Sequence, residues 1–171
     1  AAEIQDTAAE PHIHLIEVYT RLDDHDRAEE HFYLALQFPG DHALAYASIA
    51  ESLIERDEND RAIYCLREAS TNDPTLSRVH ARLAHVYART GRLERARPLY
   101  LHELRTNPGD VDTLLDMGDL LVDMNRFTDA VEKYRRVLEI QTDNAEAHNA
   151  LASLAMHQHR TREASERYKL V

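Results

Sequence analysis

Residues 45–74 read AYASIAESLIERDENDRAIYCLREASTNDP. Tyr46, Ile49, Ala50 and Leu53 are spaced three, one and three apart, which puts them on one face of a helix. The polar run RDEND, 56–60, interrupts that pattern. Ala62, Leu66 and Ala69 then restart it, and Asn72, Asp73 and Pro74 stop it again. The stretch therefore predicts two helices joined by a short turn, a hairpin with one apolar face per helix.

The same hairpin recurs along the chain. Ala28, Ala62, Ala96, Ala130 and Ala164 recur at a constant spacing of 34, without an insertion or deletion. In step with them run Leu15, Ile49, Leu83, Met117 and Leu151, and the mostly small column Ile16, Ala50, Ala84, Gly118 and Ala152. Phe32, Leu66, Tyr100, Tyr134 and Tyr168 form a bulky column. Turn residues mark the breaks, as in RTGR (89–92), NDPT (72–75) and NPGD (107–110). This predicts an N-terminal extension, 1–8, and one array in units 9–42, 43–76, 77–110, 111–144 and 145–171, the last truncated. Its final helix, 162–171, would present Ala164, Tyr168 and Val171 as an uncapped end, so either the parent chain continues or the ends associate. Pro98 falls near the first turn of a second helix, where a missing backbone donor costs little, so at most a slight kink is expected.

Composition agrees with an all-α chain. The 171 residues hold four glycines, five prolines and 43% hydrophobic residues, with abundant Ala, Leu, Arg and Glu. The formal charge of −11 disfavours phosphate-driven binding to nucleic acid or anionic membranes and suits a basic or mixed-charge partner. Cys65 is the single cysteine, so it builds no internal disulfide and is read as a packed thiol. No apolar run reaches the ~20 residues needed to span a bilayer. AAEIQDTAAE, 1–10, lacks signal-peptide character, which favours the cytoplasm, with the periplasm open if a signal was removed.

On these columns and spacings the chain resembles the tetratricopeptide-repeat family across residues 9–171, most closely in 45–74 and in ARLAHVYARTGRLERARPLY, 81–100. His12, His80 and His148 depart from it in a column where the family prefers large apolar residues, Pro39 falls one place early, and Thr142 replaces a closing proline. The resemblance implies an α-solenoid of antiparallel hairpins in a right-handed superhelix, whose first helices line a concave groove for a peptide or a partner's helix.

Carried residue by residue, the resemblance places Glu17, Glu51, Glu55, Arg78, Arg82, His85, Arg89, Asp112, Asp116, Asp119 and Asp123 in that groove, beside Ile13, Arg21, Ala47 and Ser48. Some family members clamp a terminal carboxylate, and Arg78 and Arg82 match two positions of such a clamp. Ile13, Glu17 and Ser48 replace the rest, and Glu17 would repel a carboxylate.

Subtracting 34 from Asp112, Asp116, Asp119 and Asp123 lands on Arg78, Arg82, His85 and Arg89. Unit 77–110 has seven arginines against three acidic residues, and each neighbouring unit comes to −4. One reading is a ladder of exposed ion pairs, each contributing about 0.2–1 kcal/mol. The other is that a partner inserts its own charges between basic and acidic bands.

Neither the HIH at 12–14 nor the HQH at 157–159 gives two ligands to one ion, because residues two apart on a helix diverge. His85 with Asp119 is equally unspecific, and the aspartates lack the glycine-turned loop of a calcium site. No phosphate loop or nucleophile elbow is present. The sequence thus predicts no catalytic residues, metal or cofactor. It predicts a non-catalytic protein-interaction scaffold, with two rivals: a substrate-recruiting arm of a larger enzyme such as a glycosyltransferase, sulfotransferase or protease, and a self-assembling array.

Overall fold

The computed structural model describes residues 8–76 and 78–168, with side chains described up to residue 157. Among these residues it forms nine α-helices and no strand: α1 (Glu10–Arg21), α2 (His25–Ala35), α3 (His42–Glu55), α4 (Asn59–Asn72), α5 (Val79–Arg89), α6 (Leu93–Thr106), α7 (Val111–Asp123), α8 (Phe127–Ile140) and α9 (Ala145–Tyr168). None of them is long and apolar enough to cross a membrane. The chain divides into two compact units, Ala1–Leu99 and Tyr100–Val171. The division falls inside α6, which runs unbroken through Pro98.

Local chemistry explains where helices begin. The Asp24 carboxylate accepts from the Arg27 N–H at 3.3 Å, and Asp41 accepts from Leu44 N–H at 2.9 Å. Asn144 caps α9 in the same way, its Oδ1 accepting from Ala147 N–H at 2.9 Å. Each interaction satisfies a backbone donor that the first helical turn leaves without a partner.

The turns inside the hairpins share one device. Asp23, Asp57, Gly91 and Asn125 have φ of +59°, +58°, +74° and +58°, and they follow the same period as the alanine column. Left-handed backbone is open to Gly and tolerable for Asp and Asn, whose short polar side chains bond locally. The next member of that column is His159, and there the backbone stays helical: α9 continues from Ala145 to Tyr168. The fifth hairpin expected from the period is therefore corrected to a single long helix. Its sequence lacks the short residue that the turn demands. Ala152 shows the consequence, since Ala50, Ala84 and Gly118 of its column are buried while Ala152 is exposed. The expected closing residues Ala164 and Tyr168, with Val171, lie outside the described side chains, as does most of the 1–8 extension.

In the first unit, α1 packs on α2 and α3, α3 on α4, and α4 on α5. Ile13, Ile16, Phe32, Ile49, Leu53 and Leu66 fill its core, each such burial contributing about 1.5–3 kcal/mol. The Ala9 N–H donates to the Pro39 carbonyl at 3.3 Å. A Cβ on Gly40 would lie 2.5 Å from the Ala9 Cβ, so the early Pro39 and the following glycine let this loop close on the start of α1.

In the second unit, α7 packs on α8 and α8 on α9. Leu114, Met117, Leu120, Tyr134 and Val137 are buried there. A Cβ on Gly118 would meet Tyr134 Cε1 at 2.4 Å, so the glycine makes room for the tyrosine ring against α7.

Candidate functional site

The predicted groove residues fall on the first helices of the hairpins: α1, α3 and α5 in the first unit, α7 in the second. In the first unit, Glu17 and Glu51 are half-buried, Glu55, His85 and Arg89 are exposed, and Arg82 is half-buried. Arg78 is exposed and begins α5 with φ of +66°. A cleft of about 300 Å3 gathers Glu17, Ser48, Glu51, Glu55 and Arg82, together with Thr20, Arg21, Leu44 and Ala47. Within it the Ser48 hydroxyl donates to Glu17 at 3.5 Å, and Arg82 pairs with Glu51.

The arginines of this unit reach back to the preceding hairpin. Arg82 meets Glu51, Arg89 meets Asp57 at 3.4 Å and the Ile54 carbonyl at 3.1 Å, and Arg92 meets Asp60 at 3.0 Å. A ladder of ion pairs is thus present inside the first unit, with acidic partners N-terminal to the arginines. The sequence columns match Arg82 and Arg89 with Asp116 and Asp123, one period ahead.

A second charge cluster joins second helices, which the repeat columns do not reveal. Arg56 and Arg61 both contact Glu29 and Glu58. The hydrogen bond from Arg61 holds the Glu29 carboxyl below its ordinary range, and the two glutamates raise Arg61 further.

On α7, Asp112, Asp119 and Asp123 are exposed and Asp116 is half-buried. Two of the four carboxylates are held by tyrosines. The Tyr134 hydroxyl donates to Asp119 Oδ1 at 2.6 Å, and the Tyr100 hydroxyl donates to Asp116 Oδ2 at 3.2 Å. Burial raises both phenols far above their ordinary range, with the adjacent carboxylates adding to the shift. The sequence signal was available: in the bulky column Phe32 and Leu66 carry no hydroxyl, whereas Tyr100 and Tyr134 do.

Beside this face, α7, α8 and α9 enclose a cleft of about 580 Å3 lined by Asp119, Val122, Asp123, Phe127, Tyr134, Ala150, Ser153, Leu154 and His157. Phe127 and His157 rings lie 5.0 Å apart and close one wall. Phe127, Val122 and Leu154 were not anticipated as site residues.

Cys65 is buried, and burial pushes its thiol up to about 11, away from thiolate reactivity at neutral pH. Among the described residues no three His, Cys, Asp or Glu side chains gather as a metal-holding group.

Family models match two stretches of the chain: one described as Tetratricopeptide repeat covers residues 79–112, and one described as TPR repeat covers residues 118–158. Residues 79–112 and 118–158 thus match as tetratricopeptide repeats. The transcription factor tau 131 kDa subunit of Saccharomyces cerevisiae is 30% identical over 91 residues, which is 53% of this chain and 9% of that protein. MamA from Desulfovibrio magneticus RS-1, solved from residue 41 to its end, superimposes with a TM-score of 0.81 at 12% identity, covering 98% of this chain and 94% of that one. YrrB, described as a TPR protein with an unusual peptide-binding site, gives a TM-score of 0.75 at 16% identity, covering 88% and 78% respectively. At these identities the two structures show the shared fold: all-α, of the helical-solenoid type.

Proposed function

We propose that this tetratricopeptide-repeat chain is a non-catalytic protein-interaction module, binding an extended or helical segment of a partner along the first-helix faces of each unit. The observation that carries this reading is the common register of the two clefts. Glu51 and Glu55 line one, and Asp119, Asp123, Ser153 and His157 line the other, at positions related by multiples of 34. A cleft on the first-helix face in each unit is what a scaffold repeated for recognition supplies. YrrB, of the same fold and described as having a peptide-binding site, supports the assignment.

The charge of these faces sets the class of partner. Glu17, Glu51, Glu55, Asp112, Asp116, Asp119 and Asp123 favour a segment carrying Lys or Arg. Arg78, Arg82, His85 and Arg89 offer donors to its carboxylates and carbonyls.

Affinity capture from the source cells tests the reading, comparing wild type with Asp112→Arg/Asp123→Arg, Arg82→Glu, and the second-helix control Tyr64→Ser. A partner set retained by wild type and the control but lost by a groove variant is expected. Equal capture by all four proteins, each folded by circular dichroism, overturns it.

A further inference from the structure

We propose that the cleft between α7 and α9 receives an arginine side chain of the bound segment, an inference that rests on the interaction-module reading above. The cleft is lined by Asp119 and Asp123, one helical turn apart on α7, by the apolar and aromatic Val122, Phe127 and Leu154, and by the polar Ser153 and His157.

Several carboxylates of the first unit pair with cations: Glu51 with Arg82, Asp57 with Arg89, Asp60 with Arg92, and Glu29 with Arg56 and Arg61. In the second unit Arg126 pairs with Asp129 and Arg136 with Glu139. Among the described residues no arginine or lysine forms an ion pair with Asp119 or Asp123. The Tyr134 hydroxyl already fixes Asp119 at 2.6 Å, so that carboxylate is oriented before a ligand arrives.

Arginine matches this arrangement better than any other side chain. Its planar fork can meet two carboxylates whose Cβ atoms lie about 5–6 Å apart, as at i,i+4 on a helix. Its flat face can stack on the Phe127 ring, and its aliphatic stem can cover Val122 and Leu154. Lysine supplies only a compact, strongly hydrated charge. A purely apolar side chain would bring no positive charge to Asp119 and Asp123.

Isotope-edited NMR titration with three capped peptides tests the inference: Ac-Ala-Leu-Arg-Leu-Ala-NH2 and its Lys and citrulline counterparts, citrulline keeping the shape without the charge. The arginine peptide should shift signals of Asp119, Asp123, Phe127 and Leu154. Binding should weaken by about tenfold or more with citrulline or with Asp123→Asn, an exposed position whose change spares the fold. Phe127→Leu should weaken the arginine peptide more than the lysine one. Equal binding of arginine and citrulline peptides, shifts confined to residues outside the cleft, or no shifts at millimolar peptide would overturn the arginine assignment. The module reading has its own readout: groove reversals that still abolish partner capture leave it standing when the arginine peptide fails, and insensitive capture removes it while peptide shifts persist.

Discussion

The hydroxyl of Tyr134 donates to Asp119 Oδ1 at 2.6 Å, tying a carboxylate on the exposed face of α7 to a phenol whose ring is buried against Gly118. Binding face and hydrophobic core therefore share one side chain. Part of the aspartate stripe is held by the fold itself, and the rest remains exposed to solvent.

Tyr134→Phe should cost about 1.5 kcal/mol, the low end for a hydrogen bond to a charged group because Asp119 is exposed. Urea unfolding of Tyr134→Phe, Asp119→Asn and the double variant checks it. Strong coupling between the two substitutions is expected, and simple additivity would show that the bond contributes nothing.

Gly118→Ala should destabilise by about 1–3 kcal/mol through overpacking, even though alanine gains about 1 kcal/mol of helix propensity. A Cβ at Gly109 meets nothing within 4 Å, so Gly109→Ala should be near neutral. Thermal melts of the two variants should differ clearly. Equal melts would mean that the Tyr134 ring yields without cost.

Asn125→Val should cost about 1–2 kcal/mol, because φ of +58° forces a branched side chain into the left-handed region, while Asn125→Gly should be tolerated. Chemical denaturation of both variants measures this. A valine variant as stable as the glycine one would contradict the role given to the turn column.

Glu29 predicts a pH dependence. Its folded pKa lies below the ordinary 4.5, so its contribution is fully present above 4.5 and is lost as pH falls through the lower folded value. Stability measured from pH 6 to pH 3 should therefore decline, and Arg61→Met should flatten part of that decline. An unchanged slope in Arg61→Met would remove Arg61 as the cause.

Four hairpins were legible in the sequence because their packing columns and turns repeat at one constant period, and every column constrains helix spacing. The fifth failed at one position: Ala152 and Ala164 keep the apolar register, yet His159 replaces the Asp, Gly or Asn that bends the chain elsewhere. Placement of the aspartates on one face followed directly from helical periodicity. Their tyrosine partners did not, because Tyr100 and Tyr134 read equally well as core fillers. Phe127 and Leu154 were missed for the same reason, since a cleft wall and a packing residue carry the same sequence signature.

Site-resolved photo-crosslinking tests the central claim most directly. A photoreactive benzoylphenylalanine placed at Asp112, at Asp123 or, as a second-helix control, at Tyr64 reports which face a partner touches. The account predicts a common crosslinked partner from positions 112 and 123, weakened by salt because exposed charges are screened over about 8 Å at physiological ionic strength, and none from position 64. Crosslinks formed from position 64 alone, or groove crosslinks indifferent to salt, would contradict it.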